Sequence, residues 1–165
     1  MDFVWHYQSP LGAMTMAGNG TDITGLWFDG QKYFAATVGT ECIEKKIPVF
    51  ERTIQWLDCY FGGQQPDFTP RLLLPSTPFR YSVCKIMLRI PFGQTITYGD
   101  IAAKISAQNN LRTMSARAVG NAVGHNPISL IIPCHRVLGA NGKLTGYAGG
   151  LERKKQLLML EKILL

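Results

Sequence analysis

The chain has 165 residues, of which 46% are hydrophobic and 17% are charged. This composition is typical of a folded globular protein and excludes a disordered one. The length limits the fold to one domain or two small ones. With 17 basic and 11 acidic residues, the formal net charge is +6, which favours a polyanionic partner such as nucleic acid.

The start of the chain lacks the charged segment and apolar core of a signal peptide, and no apolar run is long enough to cross a bilayer. Four cysteines are spread along the chain without CxxC spacing, which predicts neither a disulfide framework nor a zinc site. We therefore expect a cytoplasmic protein with reduced thiols, without membrane contact and without a metal. Cys42, Cys59 and Cys84 fit the small core residues that free cysteines usually are.

The first half of the chain predicts a small sheet followed by a helix. Three short apolar runs, FVWHY, GAMTMA and ITGLWF, are separated by the turn sequences SPLG and NGTD. This pattern is typical of antiparallel hairpins. Phe50, Ile54, Leu57 and Phe61 then recur at helical spacing until the pair GG ends the pattern.

The second half is predicted to be mostly helical, so the expected fold class is α+β. The proline-rich segment QQPDFTPRLLLPS reads as a linker. We expect a sheet-containing N-terminal domain and linker over residues 1–74, and a second domain over residues 75–165, whose motifs are described below. The second domain should open with a helix that has Thr77 as its N-cap and Pro78 as its first residue.

Two short helices are predicted in TITYGDIAAKIS and MSARAVGNAVGHNP, on either side of the polar loop AQNNLRT. The pattern is typical of a helix-turn-helix, here of winged-helix-like type. In the second helix only Arg117 and Asn121 have long side chains, and two glycines, Gly120 and Gly124, interrupt it. Because a helical glycine costs about 1 kcal/mol relative to alanine, either a neighbouring helix or the minor groove of DNA should approach closely. The basic charge favours DNA.

The segment NPISLIIPCHRVLG predicts an apolar strand that ends in Cys134, His135 and Arg136. The thiolate is the nucleophilic form of cysteine, and an ordinary thiol is only about 3% ionised at neutral pH. Adjacent strand residues point to opposite faces. Unless the chain turns at Cys134, His135 must therefore act on the thiol through a bridging water.

The C-terminal segment LERKKQLLMLEKILL predicts a helix that has Glu161 on the same side as Leu157 and Leu165. A carboxylate on an apolar stripe is costly unless it has a partner. Two interpretations are open. Either the last turn frays and Glu161 lies in water, or Glu161 accepts a hydrogen bond from His135 and orients it as a base.

The motif PCHRV, preceded by GHNPISLII and followed by GYAGG, resembles the active-site signature of the O6-alkylguanine-DNA alkyltransferases. The resemblance covers TPFRYSVCKIMLRIPFG, ITYGDIA and SARAVGNAV, with SPLG as a looser match. It implies a DNA repair protein that flips O6-alkylguanine out of duplex DNA and transfers the alkyl group irreversibly to its own cysteine. It further implies a monomer that uses no cofactor and binds double-stranded DNA in the minor groove, independently of sequence. The loop AQNNLRTM is longer than in many members.

The resemblance also implies individual roles. Cys134 is the acceptor, His135 takes its proton through a water, Glu161 holds the imidazole, and Asn126 ties the end of the second helix to the active-site segment. The implied substrate pocket comprises Tyr98, Val123, Val137, Tyr147, Ala148 and Gly149. The implied DNA contacts are Thr97, Tyr98, Ser115, Ala116, Arg117, Ala118, Gly120 and Asn121. Among these, Arg117 would enter the stack where the nucleotide has left, and Tyr98 would help to rotate that nucleotide out.

Two alternatives come from other classes of protein. A cysteine hydrolase would also use a Cys134–His135 pair, but it needs an oxyanion hole and leaves the smooth second helix unexplained. A helix-turn-helix regulator without transfer activity usually has a dimerisation segment and base-reading side chains, and neither is evident in the sequence.

Overall fold

The computed structural model describes residues 1–110 and 114–165 and confirms the α+β class. The loop AQNNLRTM thus lies partly outside the described residues. The chain forms two compact units, described separately below. The first comprises Met1–Leu74 and Pro127–Ile131; the second comprises Pro75–Asn126 and Ile132–Leu165.

The first unit is built on a four-stranded sheet with the order β3-β2-β1-β4. Its elements are β1 Asp2–Ser9, β2 Gly12–Gly18, β3 Ile23–Phe28, β4 Cys42–Glu44 and α1 Pro48–Phe61. The three predicted strands are confirmed as antiparallel neighbours. The short strand β4 was not predicted, and it pairs with β1 in parallel at the sheet edge. Its three residues are all exposed, so no periodic burial pattern marks it in the sequence.

The segment Pro127–Ile131 belongs to this unit because its backbone continues the sheet edge at β3. Leu26 donates its N–H to the Pro127 carbonyl at 2.8 Å and accepts from the Ser129 N–H at 2.9 Å. Residues distant in sequence thus join the first unit immediately before the chain reaches Cys134.

The second unit is mostly helical and contains a two-stranded parallel sheet. Its elements are α2 Pro78–Leu88, β5 Ile96–Thr97, α3 Tyr98–Gln108, α4 Ala116–Gly124, β6 Val137–Leu138 and α5 Leu151–Leu160. Helix α2 begins with Thr77 as N-cap and Pro78 as first residue, as predicted. The Ser115 hydroxyl caps α4 by accepting from the Ala118 N–H at 3.2 Å.

The pairing of β5 with β6 brings the start of α3 beside the segment that follows Cys134. Ile96 pairs with Val137, and Thr97 pairs with Leu138. Thr97 also caps α3, because its hydroxyl accepts from the Asp100 N–H at 3.0 Å while the Asp100 carboxylate accepts from the Thr97 N–H at 2.9 Å. These contacts fix the position of Tyr98, the first residue of α3, relative to β6.

The predicted strand into Cys134 is wrong. Cys134–Arg136 form a single turn of 3-10 helix, and the Cys134 N–H donates to the Ile132 carbonyl at 2.8 Å. Pro133 has no N–H to give to a strand ladder, and Leu130 has a left-handed φ of 70°. The apolar run is therefore buried as an irregular, turning segment, and the chain does turn at Cys134.

The four cysteines are free. Cys84 is buried, as predicted, but Cys42 is exposed and Cys59 is only half-buried. The expectation that the latter two are core residues is wrong, because Cys42 lies in the edge strand β4 and Cys59 points away from the buried face of α1. Within residues 1–110 and 114–165, no helix is both long and apolar enough to span a membrane.

Candidate active site

The site is organised by the carboxylate of Glu161, which is buried and lies just after the end of α5. One of its oxygens accepts from Nε2 of His135 at 2.5 Å. The other accepts from Nε of Arg136 at 2.8 Å and from the Gly93 N–H at 3.0 Å. The frayed alternative is therefore wrong, and the orienting alternative describes the observed contact.

The surroundings fix the ionisation states of this pair. Burial raises the pKa of Glu161, but the hydrogen bond and charge of His135, the charge of Arg136 and the Gly93 N–H together lower it to about 2. Burial lowers the pKa of His135 below its ordinary value, against the opposing effect of Glu161. At neutral pH the pair is a carboxylate and a neutral imidazole. The carboxylate only accepts, so the imidazole hydrogen is on Nε2 and Nδ1 is the basic nitrogen.

The thiol of Cys134 is also buried, and burial raises its pKa above the ordinary value. A hydrogen bond from the Asn126 side chain, the charge of Lys154, and the backbone N–H groups of Cys134 and His135 act in the opposite direction. These groups surround the sulfur with donors and one cation. The resting thiol is protonated, but its thiolate would be stabilised as soon as a base removes the proton.

Asn126 joins the end of α4 to the segment before the nucleophile. Its side-chain amide donates to the Ile132 carbonyl at 2.8 Å, and both residues lie within the second unit. The same amide hydrogen-bonds the Cys134 sulfur. Asn126 thus contacts both the nucleophile and the segment that precedes it.

Tyr98, the first residue of α3, is near enough to Cys134 for the charge of the thiolate to affect it. Its hydroxyl lies 3.5 Å from the Gly146 carbonyl. Burial raises the pKa of Tyr98 and the nearby Cys134 charge raises it further, while a hydrogen bond with Thr145 lowers it. The phenol therefore remains a proton donor at neutral pH.

Lys154 is a member of the site that the sequence analysis missed. It is fully buried, and its ammonium donates to the carbonyls of Val137 at 2.7 Å and Thr145 at 3.0 Å. Burial lowers its pKa to about 8, against the effect of Cys134. The available signal was its spacing, because Lys154 precedes Leu157 and Leu158 by three and four residues and so lies on their apolar stripe.

The remaining residues assigned to the pocket differ in burial. Val123, Val137 and Gly149 are buried, whereas Tyr147 and Ala148 are half-buried. Because a carbonyl oxygen has two lone pairs, the contact of Val137 with Lys154 leaves room for the second acceptor role implied for this oxygen.

The residues assigned to DNA contact lie on α4 and at the start of α3. Ser115, Ala116, Arg117, Ala118 and Asn121 are exposed, and Gly120 is half-buried. In the described part of the chain, Arg117 forms no ion pair. This face of α4 therefore presents small side chains and one uncompensated guanidinium.

The two glycines of α4 are not explained by packing within the described residues. A Cβ added at Gly120 would lie 3.9 Å from the nearest atom of Tyr98, an ordinary contact, and a Cβ at Gly124 would meet nothing within 4 Å. A close neighbouring helix is therefore not the reason for these glycines.

Comparison with known families explains this arrangement. Residues 78–163 match the family described as "6-O-methylguanine DNA methyltransferase, DNA binding domain". Residues 5–74 match its companion, the "6-O-methylguanine DNA methyltransferase, ribonuclease-like domain". The chain belongs to the 6-O-methylguanine DNA methyltransferase family. The resemblance read from PCHRV and its flanking motifs is thus confirmed.

Individual relatives agree with this family assignment. A Mycobacterium tuberculosis protein named methylated-DNA--protein-cysteine methyltransferase is 44% identical over 95% of this chain and 92% of its own length. A Haemophilus influenzae protein of the same name is 39% identical over 96% of this chain and 85% of its own length. The crystal structure of Mycobacterium tuberculosis OGT in complex with DNA has 42% identity and a TM-score of 0.84, and the match covers 97% of this chain and 92% of that one.

The side chains around Cys134 suit a proton transfer. Among the described residues, no group of three or more His, Cys, Asp or Glu side chains is placed to hold a metal ion. The Cys134 sulfur is surrounded by hydrogen-bond donors and a cation, which suit an anionic sulfur.

The Glu161 contacts predict a large effect of Glu161→Gln on stability. The amide removes the charge that compensates Arg136 in a buried position, so we expect a loss of about 3–5 kcal/mol in the free energy of unfolding. Urea denaturation measures this loss. Glu152→Gln, an exposed position in the first turn of α5, is the matched control and should change the value by less than about 0.5 kcal/mol. Equal effects of the two variants would contradict the assignment.

The pKa of Glu161 also predicts an acid-dependent contribution to stability. Folding lowers this pKa from an ordinary value of 4.5 to about 2. The contribution is therefore fully present above about pH 4.5 and is lost as the pH falls towards 2. The difference in unfolding free energy between the wild type and Glu161→Gln should shrink across this interval. A difference that stays constant from neutral pH to pH 2 would show that the carboxylate is not held as described.

Proposed function

We propose that this protein repairs DNA by direct reversal. It takes an O6-alkylguanine that has been flipped out of duplex DNA and transfers the alkyl group irreversibly to Cys134. The observation that carries this proposal is the buried thiol beside an imidazole that a buried carboxylate holds at 2.5 Å, in a domain of the methyltransferase family. The relatives' name, methylated-DNA--protein-cysteine methyltransferase, describes the same reaction.

The chemistry needs one proton transfer and one displacement. His135 accepts the Cys134 proton on Nδ1 through a water, and Glu161 stabilises the resulting imidazolium. The sulfur then attacks the alkyl carbon: a carbon–sulfur bond forms while the bond from that carbon to the guanine oxygen breaks. In this proposal Tyr98, whose raised pKa keeps the phenol protonated at neutral pH, donates its proton to the guanine anion, and the His135 imidazolium returns a proton to the phenolate through solvent. The thioether has no carbonyl for water to attack, so each molecule acts once.

The base has to leave the helix for this reaction, because a protein in the minor groove cannot reach the guanine oxygen inside the stack. Unstacking costs a few kcal/mol, and less for a base that pairs poorly. In this proposal Arg117 fills the vacated space and Tyr98 helps to rotate the nucleotide. The pocket is formed by Val123, Tyr147, the backbone of Ala148 and Gly149, and the carbonyls of Cys134 and Val137.

Helices α3 and α4 act in this proposal as a helix-turn-helix of winged-helix-like type, with α4 in the minor groove. The half-buried Gly120 and the exposed alanines of α4 support close approach of its backbone to DNA. Thr97, Ser115 and Asn121 complete the contact surface. A helix with so few long side chains binds without selecting a sequence, which suits a lesion that can occur at any guanine.

In this proposal residues 75–165 bind DNA and carry out the transfer, and residues 1–74 form a separate domain. The proposal also includes a monomer in the cytoplasm. Four free cysteines are compatible with a reducing compartment. The cysteine hydrolase and the regulator without transfer activity are not favoured, because the matched family and its relatives are methyltransferases.

The transfer itself is tested by intact-protein mass spectrometry after mixing with an oligonucleotide that contains O6-methylguanine. We expect one added methyl group, mapped to Cys134 and saturating at one equivalent. Cys134→Ser should abolish the transfer, because the hydroxyl is far less acidic and less nucleophilic than the thiol. Cys42→Ser, at an exposed cysteine, should leave it intact. Methyl release beyond one equivalent, or transfer by Cys134→Ser, would overturn the proposal.

The variant Gly120→Ala tests whether Gly120 faces DNA or is needed for packing within the protein. The added methyl group makes only an ordinary contact in the free protein, so we expect the free energy of unfolding to rise by about 0.5–1 kcal/mol. The same group stands between the α4 backbone and DNA, so affinity for duplex DNA should fall. Urea denaturation and fluorescence anisotropy measure the two quantities. Changes of the same sign in stability and affinity would contradict the placement of α4 against DNA.

A further inference from the structure

A groove between α2 and α4 extends the surface assigned to DNA contact onto the first turn of α2. It has a volume of about 700 Å³ and lies wholly within the second unit. Its lining on the α2 side comes from the N-cap and first turn, with Thr77, Phe79 and Arg80. Its lining on the α4 side includes Ser115, Arg117 and Asn121. No carboxylate is among its lining residues in the described part of the chain.

Two positive charges therefore face one groove from opposite helices. Neither Arg80 nor Arg117 forms an ion pair within residues 1–110 and 114–165. The first turn of α2 contains no acidic residue, and the Thr77 hydroxyl makes no cap hydrogen bond. Such a surface is complementary to a chain of phosphates, which guanidinium groups bind with two parallel hydrogen bonds.

The position of Arg80 relates this groove to the reactive sulfur. Burial raises the pKa of Cys84 to about 12, the charge of Cys134 raises it as well, and the charge of Arg80 lowers it. Cys84 is therefore near both groups. Arg80 and Cys84 lie four residues apart on α2 and so share one face of that helix, and Arg80 lines the same groove as Arg117, the residue proposed to enter the DNA stack.

We propose that Arg80 binds a backbone phosphate of the lesion-bearing strand beside the flipped nucleotide. This inference rests on the proposed function, because it assumes that the nucleotide passes from the Arg117 end of the groove to Cys134. A nucleotide that leaves the stack carries its phosphates with it, so a guanidinium along this path can hold the displaced backbone. Arg80 is then a positioning residue for transfer from DNA and takes no part in the displacement.

The first test measures affinity for a duplex with O6-methylguanine as a function of salt. Loss of one phosphate contact by Arg80→Ala should reduce the slope of log affinity against log salt by about 0.9. The weakening should be the same for oligonucleotides of unrelated sequence. Arg80→Lys should keep most of the slope. Lys85→Ala removes the same charge from an exposed position of α2 that does not line the groove, and should leave the slope unchanged.

The second test locates the phosphate. Single phosphates of the lesion-bearing strand are replaced in turn by neutral methylphosphonates, and each duplex is measured with the wild type and with Arg80→Ala. At one position near the lesion the two changes should be non-additive, because both remove the same contact. Additive effects at every position, or equal salt slopes for Arg80→Ala and Lys85→Ala, would overturn the inference.

The two proposals fail in different ways. If the wild type transfers no methyl group to Cys134, the proposed function is wrong. If transfer occurs and Arg80→Ala behaves like Lys85→Ala, only the role of Arg80 is wrong. Thermal unfolding of each variant verifies that a loss of affinity does not come from a loss of fold.

Discussion

The buried carboxylate of Glu161 is the interaction on which the rest of the site depends. A single side chain accepts hydrogen bonds from an imidazole, a guanidinium and a backbone N–H. Arg136 also donates to the Ile90 carbonyl at 2.8 Å, so the carboxylate connects the end of α5 to the end of α2. The same contacts that keep this part of the unit together hold the imidazole in one tautomer. Stability and the proposed proton transfer thus depend on the same set of contacts.

Burial shifts the pKa values of Cys134 and His135 in opposite directions. It keeps the Cys134 thiol protonated and the His135 imidazole neutral, so neither group is charged before substrate arrives. This protects the nucleophile from indiscriminate alkylation and oxidation, since the thiol form is weakly reactive. The charge of Lys154 and the surrounding N–H groups become useful only when the proton moves. The site is therefore preorganised for an ionised sulfur that it does not hold at rest.

The sequence predicted what depends on local pattern. The spacing of Phe50 and Leu57 marked α1, the Thr77-Pro78 pair marked the start of α2, and the position of Glu161 on an apolar stripe marked it as a residue in need of a partner. The choice between a buried and a solvated Glu161 depended on Arg136 and Gly93. These residues come from other parts of the chain, so the local pattern could not decide it.

Other features had no local signal or a misleading one. The apolar run before Cys134 has the composition of a strand, but Pro133 and the left-handed φ of Leu130 turn it into an irregular segment. Strand β4 is exposed and short, so it exists only because β1 offers an edge for pairing. Lys154 is flanked by other charged residues in the sequence, so its burial was not predicted, although its spacing from Leu157 placed it on the buried side of α5. Tertiary contacts determine β4 and the burial of Lys154, whereas Pro133 was a local signal against the strand that the apolar composition outweighed.

The sparse surface of α4 has a consequence for how damage is found. If α4 contacts DNA as proposed, few of its side chains can hydrogen-bond to base edges, so contacts with intact DNA would differ little from one sequence to the next. A molecule spent on its first lesion gains nothing from rapid turnover. Repair capacity in a cell would then be set by the number of copies synthesised and by the speed of their search.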